Sequence, residues 1–334
     1  MTPFLSIIIP CWNEPQNLVG TIRSIEDTAA TCPIDILVID DGGTVPFDWE
    51  SLGQISKRVR VFHGARRNGC SVCRQWGSTL TSSEWLLFTD AHMEFEPCWF
   101  EAFRTQTQFH DSKTLFCGPF ISCRVPDEPP DIFWGARLYY WDQEGDGIDV
   151  LSYKPIGRPP EGLDKAWSFE VPCVIGANYF IRRDWFHAID GLKCFHGWAT
   201  QEEFMLSLKT WLFGGRVNLI PDVRLRHLFF QSAHGQGINS MARGELLFNK
   251  LSCAYQIFPE HVYQPFVKAL PADEAFEVAY RMIEEKREEL DAARAYFARN
   301  IRRGHDWLCS KFNLLHPLDI GAAQYTTAVP AFPA

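Results

Sequence analysis

The chain has 334 residues, 46% of them hydrophobic, and a formal net charge of −9. That is enough apolar material for one large α/β domain or two closely fused ones, and it argues against disorder. The acidic balance disfavours a protein that grips nucleic acid mainly through its phosphates, a task that needs a basic face, and leaves room only for a local basic groove. No run approaches the roughly 18 apolar residues of a membrane span. The opening Met1-Thr2-Pro3-Phe4-Leu5 lacks the charged n-region of a signal peptide, so a cytoplasmic location is expected. Eleven cysteines lie scattered through apolar segments and read as buried thiols. The pair Cys70-x-x-Cys73 has no second pair at zinc spacing and reads as structural.

The first ninety residues alternate short apolar runs with helix-period stretches, the pattern of a parallel sheet with crossover helices. Leu5 to Ile9 is a β-branched run, followed by the turn Pro10-Cys11-Trp12-Asn13-Glu14 and a helix with Leu18, Ile22 and Ile25 on one face. Ile34 to Ile39 is a second strand, ending in Asp40-Asp41-Gly42-Gly43, which either meets a ligand or serves only to shape a turn. Val59 to Phe62 reads as a third strand, Cys70 to Leu80 as a helix, and Trp85 to Thr89 as a fourth strand that delivers Asp90-Ala91-His92.

In open α/β sheets ligands sit outside the carboxyl ends of the strands, so these three turns are expected to line one crevice. Asp90 and His92, two apart on an extended turn, can offer a carboxylate oxygen and an imidazole nitrogen to a divalent cation. A third ligand is available in Pro221-Asp222-Val223-Arg224-Leu225-Arg226-His227, which looks like a strand ending in histidine. Taken alone, His227 also fits a core histidine bonded to a carbonyl.

Residues 4 to 230 resemble the A-type glycosyltransferases, and among them the polypeptide N-acetylgalactosaminyltransferases and their relatives in the large inverting synthase-like family. The resemblance rests on Ser6-Ile7-Ile8-Ile9-Pro10-Cys11-Trp12-Asn13-Glu14, on Val38-Ile39-Asp40-Asp41-Gly42-Gly43, on Asn68-Gly69 through Arg74 to Gly77, and on Phe88-Thr89-Asp90-Ala91-His92-Met93-Glu94. The last is similar to the Asp-x-His metal turn of the N-acetylgalactosaminyltransferases, and Arg226-His227-Leu228-Phe229 to the segment that supplies their third ligand, apart from a missing glycine. The implied fold is a Rossmann-like, mostly parallel sheet flanked by helices, with a C-terminal helical extension.

The resemblance implies a metal-dependent transfer from a nucleoside diphosphate sugar, a uridine diphosphate sugar and in particular an N-acetylhexosamine. Pro10, Asn13, Glu14, Asp41, Asn68, Arg74, Asp90, Gly176, Ala177 and Trp198 are then expected on the donor, with Asp41 toward the uracil ring and Arg74 toward base or pyrophosphate. Asp90, His92 and His227 become the metal ligands. Such mixed ligation suits Mn²⁺ better than Mg²⁺, which is the second choice.

Gly197-Trp198-Ala199-Thr200-Gln201-Glu202-Glu203 resembles the family's Trp-Gly-Gly-Glu-Asn or Gly-x-Glu-Asp signature, but Thr200 and Gln201 replace its glycines. Inverting relatives place an aspartate base after the glutamate and retaining ones an asparagine, whereas this chain has Glu203. Inversion with Glu203 or Glu202 as base, and retention with Glu202 holding the sugar, both stay open. Trp198 reads equally as a sugar platform or a core aromatic, and the two glutamates also fit a solvated first helical turn.

Phe229 to Gly244, with His234, Gly235, Gln236 and Gly237, reads as a lid over the donor. Ala272 to Arg303 is a charged, helix-period stretch carrying Phe276, Ala279, Tyr280 and Ile283 on one face. We divide the chain into a nucleotide-sugar half (1–110), a sugar and acceptor half (111–245) and a helical extension (246–334). No residue pattern identifies the acceptor, which can be a protein hydroxyl, a free or lipid-linked glycan, or a modified nucleobase. The alternative to an enzyme is a non-catalytic paralogue that binds sugar nucleotides, but such a chain is expected to lose a metal ligand or the acidic pair.

Overall fold

The computed structural model describes residues 2–144, 147–176, 178–197, 201–229, 240–268 and 270–314. Strands β1 (Leu5–Cys11), β2 (Ile34–Asp40), β3 (Val59–His63) and β4 (Trp85–Thr89) fall where the apolar runs predict them. Further along come β5 (Met93–Phe95), β6 (Thr114–Cys117), β7 (Phe120–Cys123), β8 (Asp131–Phe133), β9 (Ala136–Glu144), β10 (Gly147–Pro155), β11 (Phe169–Glu170), β12 (Asn178–Arg182), β13 (Arg216–Leu219) and β14 (Leu225–Leu228).

Eight of these form one sheet in the order β11-β13-β6-β12-β4-β1-β2-β3. The half from β4 to β3 is parallel, while β12 runs antiparallel to both β4 and β6. The central strands are buried on both faces, which explains why they read as unbroken apolar runs rather than alternating ones. The helix Pro15–Ala29 buries Leu18, Ile22 and Ile25 against one face. On the other, the helix Cys70–Thr79 lies so close to β1 that a Cβ on Gly77 would stand 2.5 Å from Ile8 Cγ2.

A second sheet, in the order β5-β14-β7-β8, sits beyond the carboxyl edge of the first. Its pairing decides where the site forms. β14 runs antiparallel to β5 with His227 opposite Met93, and the Leu228 N–H donates to the His92 carbonyl at 2.9 Å. Two segments 135 residues apart are thereby held side by side. His227 is the third residue of its strand, followed by Leu228, rather than the end of it.

The charged stretch expected after residue 272 is two helices, Glu274–Glu285 and Arg287–Asn300, broken at Lys286. Asp273 caps the first by accepting the Phe276 N–H at 3.0 Å. Arg303 fastens this extension to the helix Glu202–Leu212: its guanidinium donates to the Gly215 and Gly214 carbonyls at 2.7 and 3.1 Å, just past that helix's C-terminus. All eleven cysteines are free thiols, and eight of them are buried. Among the described residues no helix is long and apolar enough to cross a membrane.

Candidate active site

The turns after β1, β2 and β4 meet at one edge of the large sheet, as the topology of a parallel sheet requires. Pro10 and Cys11, expected in the turn, are the last two residues of β1, and with Trp12, Asp41 and Asp90 from the turns they line a cleft together with Glu202 and Glu203. Thr21 fixes the turn after β4: its hydroxyl donates to the Ala91 carbonyl at 2.8 Å and accepts the Met93 N–H at 2.9 Å. With that turn pinned, Asp90 and His92 project to the same side.

Asp90, His92 and His227 each bring one ligand atom into a group whose members all lie within 4.8 Å of one another. The two Nε2 atoms are 3.1 Å apart and His227 Nε2 is 3.2 Å from Asp90 Oδ2. Behind His92, Nδ1 lies 2.8 Å from Glu14 Oε2, so a neutral ring donates its Nδ1 proton to Glu14 and keeps the Nε2 lone pair toward the cluster. Burial works against a charged His92, yet the Glu14 bond and Asp90 raise its pKa overall. For His227 burial prevails and the pKa is lowered. Burial also opposes ionisation of Asp90, but Arg74 and His227 hold its carboxyl well below the usual range. One anionic oxygen facing two imidazole nitrogens in a mostly buried pocket is a donor set that fits a divalent transition metal.

The remaining predicted residues divide sharply. Asp41 lines the cleft, but both of its oxygens are engaged: Oδ1 accepts the Asn68 N–H at 2.7 Å and Oδ2 the Gly69 N–H at 2.8 Å. Its neighbour Asp40 accepts the Gly43 N–H at 3.0 Å and meets His63 Nδ1 at 2.9 Å. Both carboxylates hold loop groups in place, and Asp41 does so while facing the cleft. Asn13, held at φ 57, turns its side-chain oxygen to the N–H groups of Thr44 and Val45 at 2.6 and 3.1 Å instead of lining the cleft. The Asn68 side chain donates to the Arg66 carbonyl and likewise stands outside it.

Arg74 lines the cleft while nearly buried, with its guanidinium in ion pairs with Asp90 and Glu202. Gly176 stands against Glu203, where a Cβ would come within 2.0 Å of Oε1. Ala177, Trp198, Thr200 and the segment with His234, Gly235, Gln236 and Gly237 lie outside the described residues. Glu202 and Glu203 do occupy the first turn of a helix, as expected, but both are buried rather than solvated. Ser71 Oγ donates to Glu202 Oε2 at 2.8 Å. Burial pushes the Glu203 carboxyl up to about 7, with Arg74 opposing the rise and Asp90 adding to it.

Several lining residues escaped the sequence reading. Arg67 stacks on Trp12, its guanidinium carbon 4.0 Å from the ring centroid, and both face the cleft. Tyr153 enters from the hairpin β9–β10, which no periodicity argument anticipated. Trp12 stood inside a motif already singled out, and its large aromatic face beside a ligand turn was a usable signal.

A family model described as glycosyl transferase family 2 matches residues 6–190. Human polypeptide N-acetylgalactosaminyltransferase 10 is 26% identical over 243 residues, covering 68% of this chain and 38% of that protein. Human polypeptide N-acetylgalactosaminyltransferase 16 is 25% identical over 234 residues, covering 68% and 40%. The chain thus spans well under half the length of these curated relatives. Among solved structures, the crystal structure of GalNAc-T7 with UDP, GalNAc and Mn²⁺ matches with a TM-score of 0.65 at 18% identity, covering 93% of this chain and 57% of that one. That likeness establishes the shared fold.

Proposed function

Since this chain belongs to glycosyl transferase family 2, we propose that it transfers a sugar from a uridine diphosphate sugar, an N-acetylhexosamine foremost, to a hydroxyl acceptor. The observation that carries this reading is the convergence of Asp90, His92 and His227 at the carboxyl edge of the sheet. In this reading the three residues hold Mn²⁺, as the ion named for the GalNAc-T7 structure suggests. A divalent ion bound there supplies positive charge to a departing diphosphate. The division into residues 1–110, 111–245 and 246–334 follows the same proposal, with the nucleotide against the first.

The chain's own groups have separable tasks. Trp12 and Arg67 give the nucleotide side of the cleft an aromatic face and a cation. Glu202, tied to Arg74 and Ser71, organises the floor. Glu203 is the group suited to take a proton from an acceptor hydroxyl, because it lines the cleft and its carboxyl titrates near neutrality. The test is a thermal-shift panel of uridine, guanosine and thymidine diphosphate sugars, each with Mn²⁺ or EDTA. Metal-dependent stabilisation by a uridine diphosphate sugar is expected; equal responses with EDTA and Mn²⁺ would contradict the proposal.

A further inference from the structure

Arg74 lines the cleft with its guanidinium held between two carboxylates of the protein itself. The residue is 2% exposed. Its Nη2 lies 2.5 Å from Asp90 Oδ1, its Nη1 is ion-paired with Glu202 Oε1, and its guanidinium carbon is 5.6 Å from the Tyr179 ring centroid. Among the described residues its buried Nε has no hydrogen-bond partner. Asp90 is thereby divided: Oδ1 belongs to Arg74, while Oδ2 faces His227 Nε2 at 3.2 Å. A fixed cation shares one carboxylate with the atoms that would receive a second cation.

We propose that Arg74 makes metal loading of the Asp90, His92 and His227 site depend on the donor, by holding down the affinity for a bare divalent ion until a diphosphate brings negative charge. The proposal rests on the functional reading above. Two positive charges sharing a carboxylate in a water-poor cleft repel each other far more than they would in bulk water. Arginine cannot relieve that repulsion by giving up its proton. Nor can it swing aside easily, because Glu202 would be left as an unpaired buried charge, and Ser71 anchors Glu202 from its other oxygen. The negative charge that offsets the repulsion arrives with the donor. Arg74 is in this sense a positioning residue, acting through Asp90, and metal and nucleotide become thermodynamically coupled ligands.

The experiment measures Mn²⁺ binding from the electron paramagnetic resonance signal of free Mn²⁺, with and without uridine diphosphate and without turnover. Wild type, Arg74→Met and Arg74→Lys are compared. Uridine diphosphate is expected to tighten Mn²⁺ binding to wild type, by a factor in the range of about 5 to 150 usual for coupled sites. Arg74→Met is expected to bind Mn²⁺ alone more tightly than wild type and to lose most of the enhancement. Arg74→Lys, which keeps the charge, retains the coupling.

Should Arg74→Met fail to fold, Glu202→Gln gives the opposite test. Without its second counter-charge Arg74 bears more strongly on Asp90, so Mn²⁺ alone binds more weakly. Unchanged or weaker binding of Mn²⁺ alone by Arg74→Met, an Arg74→Lys protein that behaves like Arg74→Met, or unweakened binding by Glu202→Gln overturns the proposal. Failure of the functional reading itself is visible in wild type: no Mn²⁺ binding even with uridine diphosphate removes the site, and the coupling with it.

Discussion

Glu14 and His92 stand 78 residues apart in the chain and are joined by a 2.8 Å contact between Oε2 and Nδ1. The contact fixes which imidazole nitrogen carries the proton and which faces Asp90 and His227. Glu14 is itself steadied by Asn17, whose side-chain N–H donates to the same oxygen at 3.2 Å. Replacing Glu14 with Ala is expected to weaken Mn²⁺-dependent binding of uridine diphosphate by about 10- to 100-fold, the usual effect of losing such an orienting partner. Calorimetry of the variant reads this directly, and an unaltered affinity would show that packing alone orients the ring.

Gly69 links the loop after β3 to the floor of the cleft. Its φ is 95°, its N–H donates to Asp41, and a Cβ there would stand 1.5 Å from the Gly197 carbonyl oxygen. Both the backbone conformation and the close approach exclude a side chain. Gly69→Ala is predicted to lose more than about 2 kcal/mol of stability, the class of effect expected for a strained φ combined with a backbone clash. A urea titration that shifts by less than about 0.5 kcal/mol, as an ordinary surface change does, would refute the predicted clash.

The raised Glu203 carboxyl has consequences for stability that can be separated from catalysis. Its folded pKa of about 7 lies above the ordinary 4.5. Between those values the folded state binds more protons than the unfolded one, so this group lowers stability as pH rises from about 4.5 to 7. Below that window Glu203 is neutral in both states. Glu203→Gln, which mimics the neutral form, is therefore predicted to melt close to wild type at pH 4.5 and to gain on it by pH 8. At about 1.4 kcal/mol per pKa unit the gain stays below about 4 kcal/mol. A difference that shrinks with rising pH would reverse the assignment. Catalysis should respond in the other sense, with activity lost in the glutamine variant and, in wild type, falling on the acid side of about pH 7.

Much of the architecture is legible because the deep strands leave a simple mark. Ile7, Ile8, Ile9 and Val38, Ile39 are buried on both faces, so composition alone reveals them. The Asp90 and His92 pair is readable because a short turn after a strand brings two side chains to one side. For His227 the residues offered a strand-borne histidine, and the resemblance singled it out as the third ligand. What places it is the antiparallel pairing of β14 with β5, a long-range contact that no local pattern encodes.

Three of the residues expected on the donor are engaged by the protein's own backbone. Asn13, Asn68 and Asp41 are polar residues in ligand turns, and such residues serve backbone amides as readily as they serve ligands. The partners of Asn13 and Asp41, namely Thr44, Val45, Asn68 and Gly69, become neighbours only after folding, whereas the Asn68 side chain bonds locally to the Arg66 carbonyl. Tyr153 was missed for the same reason, since its hairpin packs into the cleft from a segment with no recognised motif.

In the proposed function Asp90, His92 and His227 hold a divalent ion on which donor binding depends. The most direct test is calorimetric titration of uridine diphosphate into wild type and His227→Ala, each with Mn²⁺ and with EDTA. Mn²⁺-dependent binding to wild type, lost in EDTA and weakened at least about tenfold in the variant, is the predicted result. Binding of equal strength with EDTA, or a His227→Ala protein that binds as wild type does with Mn²⁺, would contradict it.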